Sequence, residues 1–434
     1  MKIIRATFFV LGLFSAVEDG RAEPIHLPLI EITSPHGIKI ALLQSDAQDT
    51  VAIALAFDRG IASDAIDGPA TSHLAPQLLT EGAGGKTASE VFESFQDFGG
   101  YFRIESTTDQ TYALLSAPRK GIMGSANLAH LILTKPDYPP KALERRREAL
   151  AQRVEENAAD PEFKVSEALR NAAYERHAYD NYFAVTSAAV RATNLRDLQP
   201  WAAEHFVRKG VLVSVVGNIS AAQAGLLVDA LLDGLPESSS LPPTPPVKFK
   251  ERSGKAIDVT VGSGEQAIVE VGAFFPRDVA LKDWLAGYML GKIFAGDQKS
   301  RLFKDIRNTT GATYGMQTST AFYEALTTSF VAGRVAKKDL AATVAQILKS
   351  WDMFRLDGPN AVEIANAKAS MRQELAVALL NHEALASLIR DYLTGHWQVA
   401  ELAKLPSAIE DANLNDSAVL SRYFGEKPIV VIGQ

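Results

Sequence analysis

The residues able to do metal or nucleophilic chemistry in this 434-residue chain are few and far apart. There is no cysteine, which excludes disulfides, thiolate zinc sites and cysteine nucleophiles, so any metal must be held by His, Asp or Glu. The eight histidines stand at 26, 36, 73, 130, 177, 205, 382 and 396. None belongs to an H-x-x-E-H or H-E-x-x-H spacing, which places two imidazoles on one helix face around one Zn²⁺ with a carboxylate beside them. His382-Glu383 lacks a second histidine at the required distance. Gly84-Gly85-Lys86-Thr87 imitates the end of a phosphate-binding loop, but Thr80 occupies the place of its first glycine and a helical pattern precedes it. The segment from Glu81 to Gly85 therefore reads as a turn between helices.

An ordinary globular chain must position these residues. Hydrophobic residues make up 47% and charged residues 22%, ordinary proportions for a soluble fold, and the length suggests two to four domains of about 100–200 residues each. Forty-four basic against 51 acidic residues give a net charge of −7, so nothing draws the chain as a whole to phosphate backbones and nucleic acid is not an expected partner. Lys2 and Arg5, the apolar run from Ala6 to Val17, and Gly20-Arg21-Ala22 before Glu23 have the form of a secretory signal. Residues 1–22 are expected to be removed, leaving a secreted, periplasmic protein with no membrane span; the run is too short and too interrupted by charge for an anchor.

The mature sequence reads as one unit written twice. The stretch Leu235 to Pro246 is rich in proline and serine and predicts an extended linker over 235–251, between an N-terminal domain over 23–234 and a C-terminal domain over 252–434. Asn194-Leu195-Arg196-Asp197 opens a helical pattern through Phe206, followed by a strand from Val211 to Val216 and Gly217. Asn413-Leu414-Asn415-Asp416 opens another through Phe424, followed by Ile429 to Ile432 and Gly433. In each copy the asparagine is a candidate cap, with an acid three residues on. Each half also begins with two strands, Gly37 to Leu43 with Val51 to Phe57, and Ala256 to Val261 with Ala267 to Phe275. Helices and a hairpin (Tyr101 to Glu105, Thr111 to Ala117) come next in the first half. The repeated order predicts an α+β fold of two similar tandem domains, each a mixed, mainly antiparallel sheet covered by helices.

The segment His73-Leu74-Ala75-Pro76-Gln77, succeeded by a helix from Thr87 and by Gly99-Gly100, resembles the first-domain motif, next helix and Gly-Gly turn of the insulinase/pitrilysin-like zinc peptidases, a family that includes the mitochondrial processing peptidases. The similarity spans roughly residues 35–434. Active members carry H-x-x-E-H at this place. The resemblance implies that His73 stands at the first ligand position, Pro76 where the general base is needed and Gln77 at the second ligand. It puts Arg153 at the distal glutamate, where a permanent cation repels Zn²⁺. Pro76 also removes a backbone N–H, so a kink or a late helix start is expected. No metal is expected on this chain, and from the residues alone His73 reads as a helix residue in a remnant cleft, with a zinc ligand and a contact to peptide or partner as the alternatives.

In the second half, Arg307 and Tyr314 lie seven residues apart across Gly311 and are similar to that family's Arg/Tyr substrate pair. The resemblance implies a guanidinium that grips peptide oxygens and a phenol that stabilises developing negative charge, with Arg301 in a structural role. The residues alone also allow an ion pair between Arg307 and Asp305, with Tyr314 starting a strand. Phe294 to Ser300 is short where the processing peptidases' non-catalytic subunit has a long glycine-rich loop, a departure from presequence-type selection. The function that the resemblance implies is that of a non-catalytic, substrate-binding subunit of a secreted heterodimeric zinc metallopeptidase. A homologous partner with an intact motif would supply zinc, and the two chains would close as a clam-shaped dimer around an unfolded peptide. The alternative is a scaffold or peptide-binding protein of the same fold with no proteolytic role.

Overall fold

The computed structural model describes residues 27–434 apart from 67, 253, 263, 278–279 and 311–315; the leader and Tyr314 lie outside the described residues. In the first half, strands β1 (Leu29–Thr33), β2 (Lys39–Gln44), β3 (Thr50–Phe57), β4 (Tyr101–Ser106), β5 (Thr111–Pro118) and β6 (Leu212–Gly217) form one sheet in the order β1-β2-β6-β3-β5-β4. In the second, β7 (Ala256–Val259), β8 (Gln266–Pro276), β9 (Gln317–Phe322), β10 (Leu326–Ala336) and β11 (Ile429–Gly433) are ordered β9-β10-β8-β11-β7. Read from the opposite edge, the second sheet repeats the first strand for strand. Among the described residues only the β2–β6 and β7–β11 pairs are parallel, and β1 is an addition to the first half. The chain is α+β, as its repeated strand and helix pattern predicts, while β1 and the β9–β10 hairpin lack the alternation that would have exposed them.

Helix starts obey local chemistry. Helix α1 spans Thr71–Leu78, α2 Ala88–Phe98, α3 Ile122–Thr134, α4 Pro140–Ala159, α5 Pro161–Ala173 and α6 Ala221–Leu232. Thr87 closes a capping box with Glu90, and Gly99 ends α2 at φ 67°, the left-handed conformation that a residue without Cβ adopts freely. Asn194 caps as expected, but Pro200 cuts the next helix into Leu195–Leu198 and Trp201–His205. At the chain end the cap is Asp416, which accepts from the N–H groups of Ala418 and Val419, while the Asn413 side chain accepts from Asn415 N. The repeat of the cap is therefore displaced by three residues. The segment 235–251 has no helix or strand; His177 Nε2 donates to the Pro245 carbonyl at 2.8 Å and pins it to the first half.

Later in the chain come, among other helices, α7 (Leu281–Ala295), α8 (Arg301–Thr310), α9 (Leu340–Asp357), α10 (Ala361–Ala378), α11 (His382–Leu393) and α12 (Ser417–Tyr423). All of β3 except its first residue is buried. Its large residues Val51, Ile53, Leu55 and Phe57 face the helices of the first half. Its small ones, Ala52 and Ala54, pack in the cluster that holds Leu385, Ala386 and Ile389 of α11, a helix from the second half. The reverse also occurs: Val165, Leu169 and Ala173 of α5 pack with Ile268, Phe274 and Val431 of the second sheet. The halves thus exchange one helix each, and alternation along β3 and β8 supplies the two faces this needs. At the N-terminus of α11, fully buried His382 joins the halves, with Nε2 3.0 Å from Ser45 Oγ and Nδ1 3.0 Å from Thr50 Oγ1. Among the described residues no helix is long and apolar enough to cross a membrane.

Candidate functional site

Helix α1 is started from outside itself. Asp64 accepts from Ser72 N at 2.9 Å, from Thr71 Oγ1 at 2.6 Å and from Ser72 Oγ at 2.7 Å, giving the first turn the acceptor that Ala70 cannot offer. Pro76 lies buried in the second turn, not the first, and the helix runs only two residues past it before tightening into the 3-10 turn Leu79–Glu81. His73 and Gln77 share the half-exposed face of α1, with Leu74, Ala75 and Pro76 buried between them.

Neither is arranged to hold a cation. His73 Nε2 donates to the Asn181 carbonyl at 3.2 Å, and burial, partly offset by that bond, pushes its pKa below the usual histidine value. The Gln77 amide folds back to donate to the His73 carbonyl at 2.8 Å. Beside them opens a cleft of about 110 Å³ lined by Asp64, His73, Asn181, Val185 and Thr186, among others. Helix α4 packs against α1. Its Arg145 binds Glu81 at 2.7 Å and its Arg146 does so at 2.9 and 2.6 Å. Arg153, two turns further along, is exposed and has no ion pair among the described residues. Among the described residues no three His, Asp or Glu side chains form a group able to hold a metal. The donors at the motif positions, one neutral imidazole, a committed amide and a guanidinium, do not fit Zn²⁺.

On α8, Arg301 makes a bidentate pair with Glu363 at 2.7 and 2.5 Å and lies 5.0 Å from the Phe354 ring centroid. Asp305, the alternative partner for Arg307, accepts instead from Ser350 Oγ at 2.6 Å. Arg307 is exposed and without an ion pair among the described residues. Its companion Tyr314 is not described, so the pair has no geometry here.

One cluster went unrecognised in the sequence. On α7, Tyr288 and Lys292 are half-exposed with Met289, Leu290 and Gly291 buried between them, the pattern of His73 and Gln77 on α1, 215 residues away. Lys292 Nζ lies 4.9 Å from the Tyr288 ring centroid and pairs with Glu374 of α10. Glu374 stands 221 residues after Arg153, and each precedes by seven residues the capping residue of the next helix, Asn381 and Asp160. The repeat offset was the signal available to find it.

Comparison with known proteins covers both halves. Residues 39–187 match the insulinase (peptidase family M16) description and residues 193–371 the peptidase M16 inactive domain. An uncharacterized zinc protease of Bacillus subtilis, YmxG, is 22% identical over 362 residues, 80% of this chain and 83% of that protein. A peptidase M16 inactive domain from Pseudomonas fluorescens superposes with a TM-score of 0.84 at 17% identity, over 94% of this chain and 98% of that one. The periplasmic protease PqqL of Escherichia coli gives 0.79 at 14% identity, over 100% of this chain but 49% of its own. At such identities the structural matches speak for fold alone.

Proposed function

Because the chain belongs to the insulinase (M16) family of peptidases, with both halves built on that fold, we propose that it is a non-catalytic, peptide-binding subunit of a two-chain zinc peptidase. The observation that carries this reading is the occupancy of the motif helix: Pro76 and Gln77 stand where a base and a ligand are needed, and the Gln77 amide gives one N–H to the helix backbone. Metal-dependent hydrolysis then belongs to a homologous partner with an intact motif. The relation to PqqL supports a partner as well: this chain spans about half of that protease, so a second chain of similar size would complete a molecule of that length. Secretion, with removal of residues 1–22, and a periplasmic location are part of the proposal.

In this reading Arg307, with no ion pair among the described residues, directs its fixed donors to a peptide carbonyl or carboxylate. Tyr314 donates to the oxygen that gains negative charge when the amide is attacked. The two chains close around an unfolded segment, whose backbone adds to a sheet edge. The decisive experiment is reconstitution with a candidate partner carrying H-x-x-E-H. Peptide cleavage should require both chains and fall at least about tenfold in Arg307→Ala and Tyr314→Phe, the scale for losing one stabilising donor. Cleavage that is indifferent to both substitutions overturns the assigned roles, and native complexes without any H-x-x-E-H chain favour the scaffold reading.

A further inference from the structure

The internal repeat allows one half to be read through the other. In the second half, Lys292 of α7 and Glu374 of α10 meet, so side chains from these two places on the paired helices reach a common point. The corresponding places in the first half hold Gln77 of α1 and Arg153 of α4, with matching exposure: half-exposed on the motif helix and exposed on the long helix. Where the second half carries its own cation and anion, the first has an exposed guanidinium on one helix and a half-exposed amide on the other.

No neighbouring carboxylate pairs with Arg153 among the described residues. Glu156, one turn beyond Arg153, accepts from Gln152 at 3.0 Å. Glu148 and Glu155 are both held by Arg191, and Glu81 by Arg145 and Arg146. The Asp64 carboxylate in the adjoining cleft is engaged by Thr71 and Ser72. His73 adds no charge of its own, because burial keeps its imidazole neutral.

We propose that the altered motif of the first half is a carboxylate-binding site, with Arg153 as the charged anchor and Gln77 as its hydrogen-bonding neighbour. A planar guanidinium accepts a carboxylate through two parallel N–H bonds, and the Gln77 amide keeps a second N–H beyond the one given to His73. The ligand is the carboxylate of a peptide, either its C-terminus or an Asp or Glu side chain. The site rests on the proposed peptide-binding role only for the source of that group, and needs no partner chain.

The test uses the full chain alone with three short fluorescent peptides of one sequence: neutral with an amidated end, the same with a free C-terminus, and the amidated form with one internal Glu. Anisotropy titrations at low salt should show at least one carboxylate-bearing peptide binding about tenfold more tightly than the neutral one, the scale of a charge-assisted bidentate contact. Which of the two gains identifies the source. Arg153→Ala and Arg153→Glu should erase the preference without changing affinity for the neutral peptide, and Arg153→Lys should keep part of it. A preference that survives Arg153→Ala, or no preference in the parent chain, overturns the proposal. Because no cleavage is measured, a failed reconstitution with a partner leaves this result standing, and the reverse also holds.

Discussion

Glu270, in the middle of β8, accepts a hydrogen bond from Ser166 Oγ of the exchanged helix α5 at 2.7 Å, while its other carboxylate oxygen is buried without a partner. Burial, only partly offset by Ser166, pushes its pKa up to about 7, with Glu162 adding to the rise and Arg170 opposing it. The acid is thus protonated in the folded state over a range where the unfolded chain, with a carboxyl near about 4.3, has already released its proton. Folding stability should fall as pH rises from about 4.3 to 7 and level off above that. Glu270→Gln should remove this component. Its melting temperature should match the parent near pH 4.5 and exceed it at pH 8, by on the order of 3–4 kcal/mol in stability. Thermal melts of the two proteins across pH 4.5–8 check both sign and window, since groups common to both cancel.

The motif helix can be asked to regain its metal. The combined variant Pro76→Glu, Gln77→His, Arg153→Glu restores acid, imidazole and distal carboxylate at the family's positions. Elemental analysis after zinc loading and desalting should give about one zinc per chain, the stoichiometry of a three-ligand site, against a negligible amount in the parent. Equal retention by both would place the ligands elsewhere.

The two arginines of α8 should separate cleanly. Arg301→Ala breaks a bidentate pair and uncovers Phe354, and is expected to lower stability by about 1–2 kcal/mol. Arg307→Ala touches no ion pair among the described residues and should leave the melting temperature unchanged. A large loss of stability in Arg307→Ala would mean that the residue serves the fold.

The contact between β3 and α11 depends on small side chains. Ala54 is fully buried beneath the borrowed helix, so Ala54→Leu should overpack the crossing and cost about 1–3 kcal/mol. Urea denaturation measures it, and the loss should appear in both halves together because α11 belongs to one and covers the other.

Much of this architecture was legible in the chain. The two-strand openings of both halves, the hairpin over Tyr101 to Ala117 and the Asn194 cap are local signals, fixed by alternation and side-chain oxygens within a few residues. The exchange of α5 and α11 was not legible. Alternating large and small residues in β3 show that both faces are covered but do not say which helix covers them, because that is settled by contacts across more than 300 residues, such as His382 with Thr50. For the site, the residue types at Pro76, Gln77 and Arg153, none of them suited to zinc, could be read from the sequence. The back-folded amide of Gln77 and the self-paired Lys292–Glu374 could not, since each depends on where a side chain folds.

The reciprocal helices also bear on how the gene can be divided. A cut at the proline-rich connector looks natural, yet each fragment would leave with the lid belonging to its sibling and keep an alanine- or glutamate-bearing sheet face open to water. The two pieces should therefore be poor folders alone and good clasps for one another when made together, so the chain behaves as a single interlocked body.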